Sequence, residues 1–222
     1  MRWLPVLLLV ALRSGAAEPN EAENLFRDME KKLTSGNALS YEFEGKVELG
    51  DKKMSVKGSV IIGEGNRGRI EWSGTKDGNP VSMVFVSNGV KMQMIENGKA
   101  QGKKDAPKPP GELNRAASRT GVFVWLLLVE GPISPDLETS DFKLGKKEKV
   151  GESDAQEIQY SLKVRGAKGQ PLSVRLWIDT KTTLPLKRVL IIIDGSDKIT
   201  FTETYSNINP DAKDPKEVEL KE

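Results

Sequence analysis

The sequence predicts an α+β domain that is mostly β: an incomplete antiparallel β-barrel, in effect one curved sheet of about ten strands closed by helices. Three observations predict it. Apolar and polar residues alternate with period two along most of the chain, so each strand has one face for a core and one for water. Short turns rich in Gly, Asn and Asp join these runs, as in antiparallel meanders. Midway, the stretch 111–130 breaks the alternation with a helical pattern. A closed up-and-down barrel is the runner-up architecture, and a helix between the fifth and sixth strands argues against it.

The chain opens with an export leader. Arg2 supplies a positive start, Leu4 to Leu12 is apolar apart from Pro5, and Ser14-Gly15-Ala16-Ala17 offers small residues for cleavage. A run of about nine apolar residues falls short of the roughly 20 that span a bilayer. Residues 1–17 are therefore expected to be a signal peptide cleaved after Ala16 or Ala17, with 18–222 as a single domain. An uncleaved anchor is the alternative, and Arg13 directly after the run counts against it. The leader has no Cys, so the mature protein is expected not to be lipidated. An exported chain without any Cys must be stable without disulfides.

The first helix is expected over Pro19 to Ser35. Asn20 caps it with Glu23 three residues on, Leu25, Phe26, Met29 and Leu33 form its apolar stripe, and Gly36 stops it. Strands follow. Leu39, Tyr41, Phe43, Val47 and Leu49 share one face, then Met54, Val56, Gly58, Val60 and Ile62. Ile70 and Trp72 belong to a third strand, Gly74 to Asn79 make a loop, and Val81, Met83 and Phe85 form a fourth strand. Asn88-Gly89 signals a type I′ hairpin, and Val90, Met92 and Met94 form the fifth strand, ending at Asn97-Gly98.

Ala100 to Pro110 is rich in Lys and Pro, and residues 99–110 read as a mobile surface connection. The helix over Gly111 to Glu130 is apolar on every side from Val122 to Val129, so more than one of its faces must be covered. Asp136 to Asp141 reads as a connecting turn. Phe142, Leu144, Val150, Ile158, Tyr160, Leu162 and Val164 resume the strands, and Leu172 to Tyr205 reads as a three-stranded meander. The polar tail from Asn207 carries Pro210 and Pro215 and is expected to be partly ordered at best.

Composition excludes several functions. Lys and Arg number 34 against 32 Asp and Glu, and two of the Arg lie in the leader, so the mature chain is near neutral and no nucleic-acid partner is expected. The absence of His and Cys removes the usual zinc sites and the common nucleophile systems. Asp and Glu are scattered through turns and polar strand faces, with no spacing that demands two convergent acids. The chain is expected not to be an enzyme and to need no cofactor or metal.

Four places carry a family resemblance. They are Gly58-Ser-Val-Ile-Ile-Gly followed by Arg69-Ile-Glu-Trp72; Val84-Phe-Val-Ser-Asn-Gly-Val; Leu176-Trp-Ile-Asp with Leu184-Pro-Leu-Lys-Arg and Asp194-Gly195; and Thr202-Glu-Thr-Tyr-Ser-Asn-Ile-Asn209. In these, and in the order of elements over most of the chain, the sequence resembles the LolA-like family of periplasmic lipoprotein carriers. The resemblance implies an incomplete barrel closed by helices, whose hollow binds acyl chains, and a periplasmic location. One departure stands out. Where the carriers end a strand in Arg-Pro, with that Arg latching a lid, this chain reads Gly63-Glu64-Gly65. Its C-terminal part is also short beside the carriers, which have an extra strand there. A lipid-binding hollow is expected more firmly than cargo handover.

The residues expected to line the hollow are Val60, Ile62, Ile70, Trp72, Met83, Phe85, Met92 and Met94, then Val122, Trp125, Leu126 and Val129 of the mid-chain helix, then Leu176 and Ile178. The same residues would also suit an ordinary core. Each buried acyl CH₂ contributes roughly 0.8 kcal/mol, so one long chain contributes about 10 kcal/mol gross and no polar motif is required. The expected function is binding of lipid or lipoprotein acyl chains in outer-membrane lipoprotein sorting or lipid transport, in the manner of a chaperone. The alternative is an envelope sensor or protein-interaction domain with a self-filled core. Expected partners are acyl chains and an inner- or outer-membrane protein, and the protein is expected to be a monomer.

Overall fold

The computed structural model describes residues 20–106, 117, 119, 121, 137–164, 171–194, 197–213, 215 and 220. The expected leader lies outside the described residues. So does the expected helix over 111–130, except for Ala117, Arg119 and Gly121, which are helical.

Among the described residues, helix α1 (Glu21–Leu33) precedes twelve strands: β1 (Ala38–Leu49), β2 (Lys52–Gly63), β3 (Arg67–Lys76), β4 (Asn79–Asn88), β5 (Lys91–Glu96), β6 (Lys99–Ala100), β7 (Lys104–Asp105), β8 (Leu137–Val150), β9 (Ser153–Val164), β10 (Leu172–Asp179), β11 (Pro185–Asp194) and β12 (Asp197–Asn209). They form one antiparallel sheet in the order β6-β5-β4-β3-β2-β1-β12-β11-β10-β9-β8, with β7 also on β5. The sheet is open and curved, an incomplete barrel as expected. Two meanders meet where β1 pairs β12, from Leu49 opposite Ile199 to Ser40 opposite Asn209.

Helix α1 forms as its sequence dictates. The Asn20 side chain accepts from the Glu23 N–H at 2.9 Å, satisfying one of the donors that a helix start leaves open. Glu21 and Glu23 lie in the first turn and Lys31 and Lys32 in the last, both favourable to the helix dipole. Ala22, Phe26, Met29 and Leu33 are buried. Phe26 packs on Phe142 at 5.2 Å and on Tyr160 at 4.9 Å between ring centroids, which fastens α1 over the β8–β9 side of the concave face.

Three local expectations are corrected. The segment read as a mobile connection contains β6 and β7. Both satisfy the otherwise open edge of β5, with further bonds from Gln101 N–H to Met94 O (2.8 Å) and Ala106 N–H to Val90 O (2.9 Å). Leu137 to Asp141, read as part of a connecting turn, are strand residues, because β8 begins at Leu137; Asp136 lies outside the described residues. As a sheet edge, β8 needs little apolar pattern. Its pairing shifts between Ser140 and Lys143 and between Leu144 and Lys147, and its lysines further discourage another chain from adding to it.

The hairpin after β4 is not type I′, since Gly89 has positive φ (90°) and Asn88 does not. The Asn88 carboxamide instead accepts from Val90 N–H (3.0 Å) and Lys91 N–H (2.8 Å). Paired positive φ values occur at Asp77-Gly78 (50°, 80°) and Asn97-Gly98 (47°, 81°), the type I′ geometry. Asn207 to Asn209 complete β12, and Ala212 N–H donates to Ala38 O at 3.1 Å, which ties the start of the tail to β1.

Candidate functional site

Strand register gathers the expected wall residues on one face. Tyr41, Val60, Ile70, Phe85 and Met94 form one cross-strand row over β1 to β5. Leu39, Ile62, Gly68, Ser87 and Met92 form the next row, and Phe43, Gly58, Trp72 and Met83 the row beyond. On the other arm, Leu176 lies between Ile158 and Arg188, and Ile178 between Gln156 and Pro185. Val60, Ile62, Ile70, Phe85, Met92, Leu176 and Ile178 are buried in a single core cluster. Trp72, Met83 and Met94 are half-buried, as are Met54 and Val81 beside them. Val122, Trp125, Leu126 and Val129 lie outside the described residues.

The half-buried part of this face is rich in Met, whose unbranched thioether fits irregular shapes. Gly58 permits the tight approach of β2 and β3 there: a Cβ on it would stand 2.1 Å from Glu71 O and 2.7 Å from the Trp72 Cβ.

The face also carries a polar island that sequence reading missed. Arg188 is in phase with Leu190 and Ile192, and Glu203 with Phe201 and Tyr205, so both charges point to the apolar side. That phase was the available signal. Arg188 and Glu203 are each 3% exposed. Glu203 sits opposite Gly45, which leaves room for its carboxylate. Tyr205 donates its hydroxyl to Glu203 Oε2. The Arg188 guanidinium lies 5.8 Å from the Tyr205 ring, and its Nη1 reaches Ala117 O at 3.5 Å.

Burial opposes the charge of Arg188, and the oxygens of Tyr205, Tyr160, Glu203 and Tyr41 more than offset this, so its pKa lies above the ordinary value. Burial, with Glu203 adding to it, raises the Tyr41 hydroxyl, and burial raises those of Tyr160 and Tyr205. All three stay protonated at physiological pH, as hydrogen-bonding groups rather than bases.

Ala117, Arg119 and Gly121 dock on this island. The Tyr160 hydroxyl donates to Arg119 O at 2.8 Å. Arg119 Nε pairs with Glu30 of α1 at 2.5 Å, and its Nη1 donates to Leu137 O at 2.6 Å. Gly121 has φ +75°, and a Cβ on it would lie 2.1 Å from Glu203 Oε2. A cavity of about 20 Å³ remains between Leu33, Leu39, Tyr41, Ala117, Arg188 and Tyr205. That is room for a single water.

The opposite face holds a larger open groove of about 1420 Å³, with Glu44, Lys46, Ser55, Lys57, Lys187 and Thr204 on its floor. Its charges alternate across neighbouring strands, as on a solvated sheet face, and do not converge on a point. Among the described residues, no group of three or more carboxylates could hold a metal ion.

No protein-family model and no curated protein matches the chain. Solved structures do. The crystal structure of LprF from Mycobacterium bovis matches with a TM-score of 0.50 and 13% identity, over 88% of this chain and 96% of that chain. The Mycobacterium tuberculosis lipoprotein LppX gives 0.47 and 13%, over 86% and 96%. A LolA superfamily protein from Nitrosomonas europaea gives 0.38 and 9%, over 86% and 93%. The fold is the incomplete antiparallel barrel that the sequence resemblance implied, and LprF shares it.

Proposed function

We propose that this chain is a periplasmic protein that binds lipid or lipoprotein acyl chains, as a carrier or chaperone in lipoprotein sorting or lipid transport, and that it is a binder rather than an enzyme. The observation that carries the reading is the concave face itself. Val60, Ile62, Ile70, Phe85 and Met92 form one apolar cluster with Trp72 and Met94 packed against it, and Trp72, Met83 and Met94 are only half-buried. Apolar contact of this kind is enough to hold a chain of methylenes. Native mass spectrometry of the protein purified from membrane-containing lysate tests the reading, together with uptake of a fluorescent fatty acid. A bound lipid mass and saturable uptake are expected, and a clean apo mass with no uptake overturns it.

One observation favours a second reading, an envelope sensor or interaction domain with a self-filled core. The cavity described at the polar island is only about 20 Å³. On this reading no lipid loads, and a membrane-protein partner is recovered instead.

A further inference from the structure

Among the described residues, three buried side-chain nitrogen atoms make no hydrogen bond: Arg67 Nε, Arg188 Nε and Trp72 Nε1. The arginines have other nitrogens and other interactions. Tryptophan has one polar atom, a donor, and nothing else to offset its burial. Solvent does not reach Trp72 Nε1, although the residue as a whole is only half-buried. Elsewhere on the sheet a buried polar group is engaged, as Ser87 Oγ is with Asn66 O at 2.6 Å. A donor left in this state in a native fold calls for a specific explanation.

The surroundings supply one. Trp72 stands between Gly58 and Met83 in its cross-strand row. Gly58 offers no side chain, and Met83 is a flexible thioether that can swing aside. Met54, Val81 and Met94, half-buried on the same face, have no side-chain acceptor comparable to a carbonyl. These side chains supply no acceptor for the indole N–H, and a molecule lying along this wall can supply one. An acyl lipid carries one carbonyl at the head of each methylene chain.

We propose that Trp72 is the polar anchor of the apolar face, its indole N–H donating to the acyl carbonyl of a bound lipid. The chain would then favour acylated ligands over chains of the same length that lack the carbonyl. This rests on the lipid-binding reading above and specifies the ligand chemistry at that face.

The test uses the purified chain, labelled with ¹⁵N, and two lipids identical in chains and headgroup: dioleoylphosphatidylglycerol and its diether analogue. The indole signal lost in Trp72→Phe identifies the residue. With wild type, the ester lipid is expected to move that signal downfield and the diether to move it far less. Trp72→Phe is expected to lose about fivefold in affinity for the ester lipid and nothing for the diether, as for one neutral hydrogen bond. Equal displacement by both lipids overturns the proposal while leaving lipid binding intact, as does unchanged ester affinity in Trp72→Phe. If neither lipid loads the wild type, the lipid-binding reading falls and this inference falls with it. The ester–ether comparison on wild type decides the matter even if the variant folds poorly.

Discussion

Arg188 and Glu203 are direct cross-strand partners, on β11 and β12, on the face that also carries Leu190 and Phe201. Removing one member strands the other charge in a low-dielectric setting. Glu203→Ala is expected to destabilise the fold by about 3–5 kcal/mol, whereas Arg188→Met combined with Glu203→Leu is expected to recover most of that loss. Urea unfolding of the single and double variants checks this. A Glu203→Ala variant as stable as wild type would mean the pair is not held as described.

Gly121→Ala tests the docking of the helical residues on that island. The new methyl would have to enter space held by Glu203 Oε2 (2.1 Å) and Arg188 Nη1 (2.7 Å), from a backbone at φ +75°. A loss of about 2 kcal/mol is expected. Hydrogen exchange near residues 117–121 is expected to accelerate more than exchange in β2 and β3.

Asn20→Ala is expected to cost about 1 kcal/mol by thermal unfolding, as for a lost helix cap. Asn20 also donates from its side chain to Phe142 O at 2.8 Å, so part of the loss is a tie between α1 and β8. Asn20→Ser keeps a capping oxygen but not that reach, and is expected to fall between Ala and wild type.

Acid sensitivity centres on two carboxylates. Backbone N–H bonds from Thr182 and Lys181, both at 2.8 Å, hold Asp179 below the usual carboxylate range against the effect of burial. Glu157 is lowered likewise, first by its bond from Arg175 at 2.6 Å, with burial opposing and Gln159 assisting. A group lowered on folding adds stability that is complete above its unfolded pKa of about 4 and is lost as pH falls through the lower folded value. Wild-type stability is thus expected to decline below about pH 5, and the Asp179→Asn, Glu157→Gln variant to show a flatter profile over that range in denaturant titrations.

Much of the architecture was legible because the sheet is amphipathic. Val60, Ile70 and Phe85 announce their face by alternation alone, and Asn20 with Glu23 announces the start of α1. What escaped reading depends on neighbours rather than on local pattern. Lys99 to Asp105 is polar, yet β5 has an open edge that its backbone can satisfy. Asn88-Gly89 carries the dipeptide of a type I′ turn, but the Asn88 side chain is drawn into capping the next residues. Arg188 and Glu203 were in phase with the apolar face throughout, but each looked like a surface charge until the other was placed opposite. The role of Trp72 in ligand binding was posed by the sequence as wall or core. Only the environment of its nitrogen points to a specific chemistry.

The pairing of β1 with β12 also governs the order in which the molecule can assemble. Glu44 must find Thr204, and Val47 must find Phe201, across most of the chain's length. Closing so large a loop is entropically slow, and nothing rewards it until both meanders exist. Until the last strand is available, β1 presents a bare hydrogen-bonding edge beside an apolar face, the kind of surface that recruits other chains. The seam that unites the two halves is therefore also the step at which folding competes with aggregation.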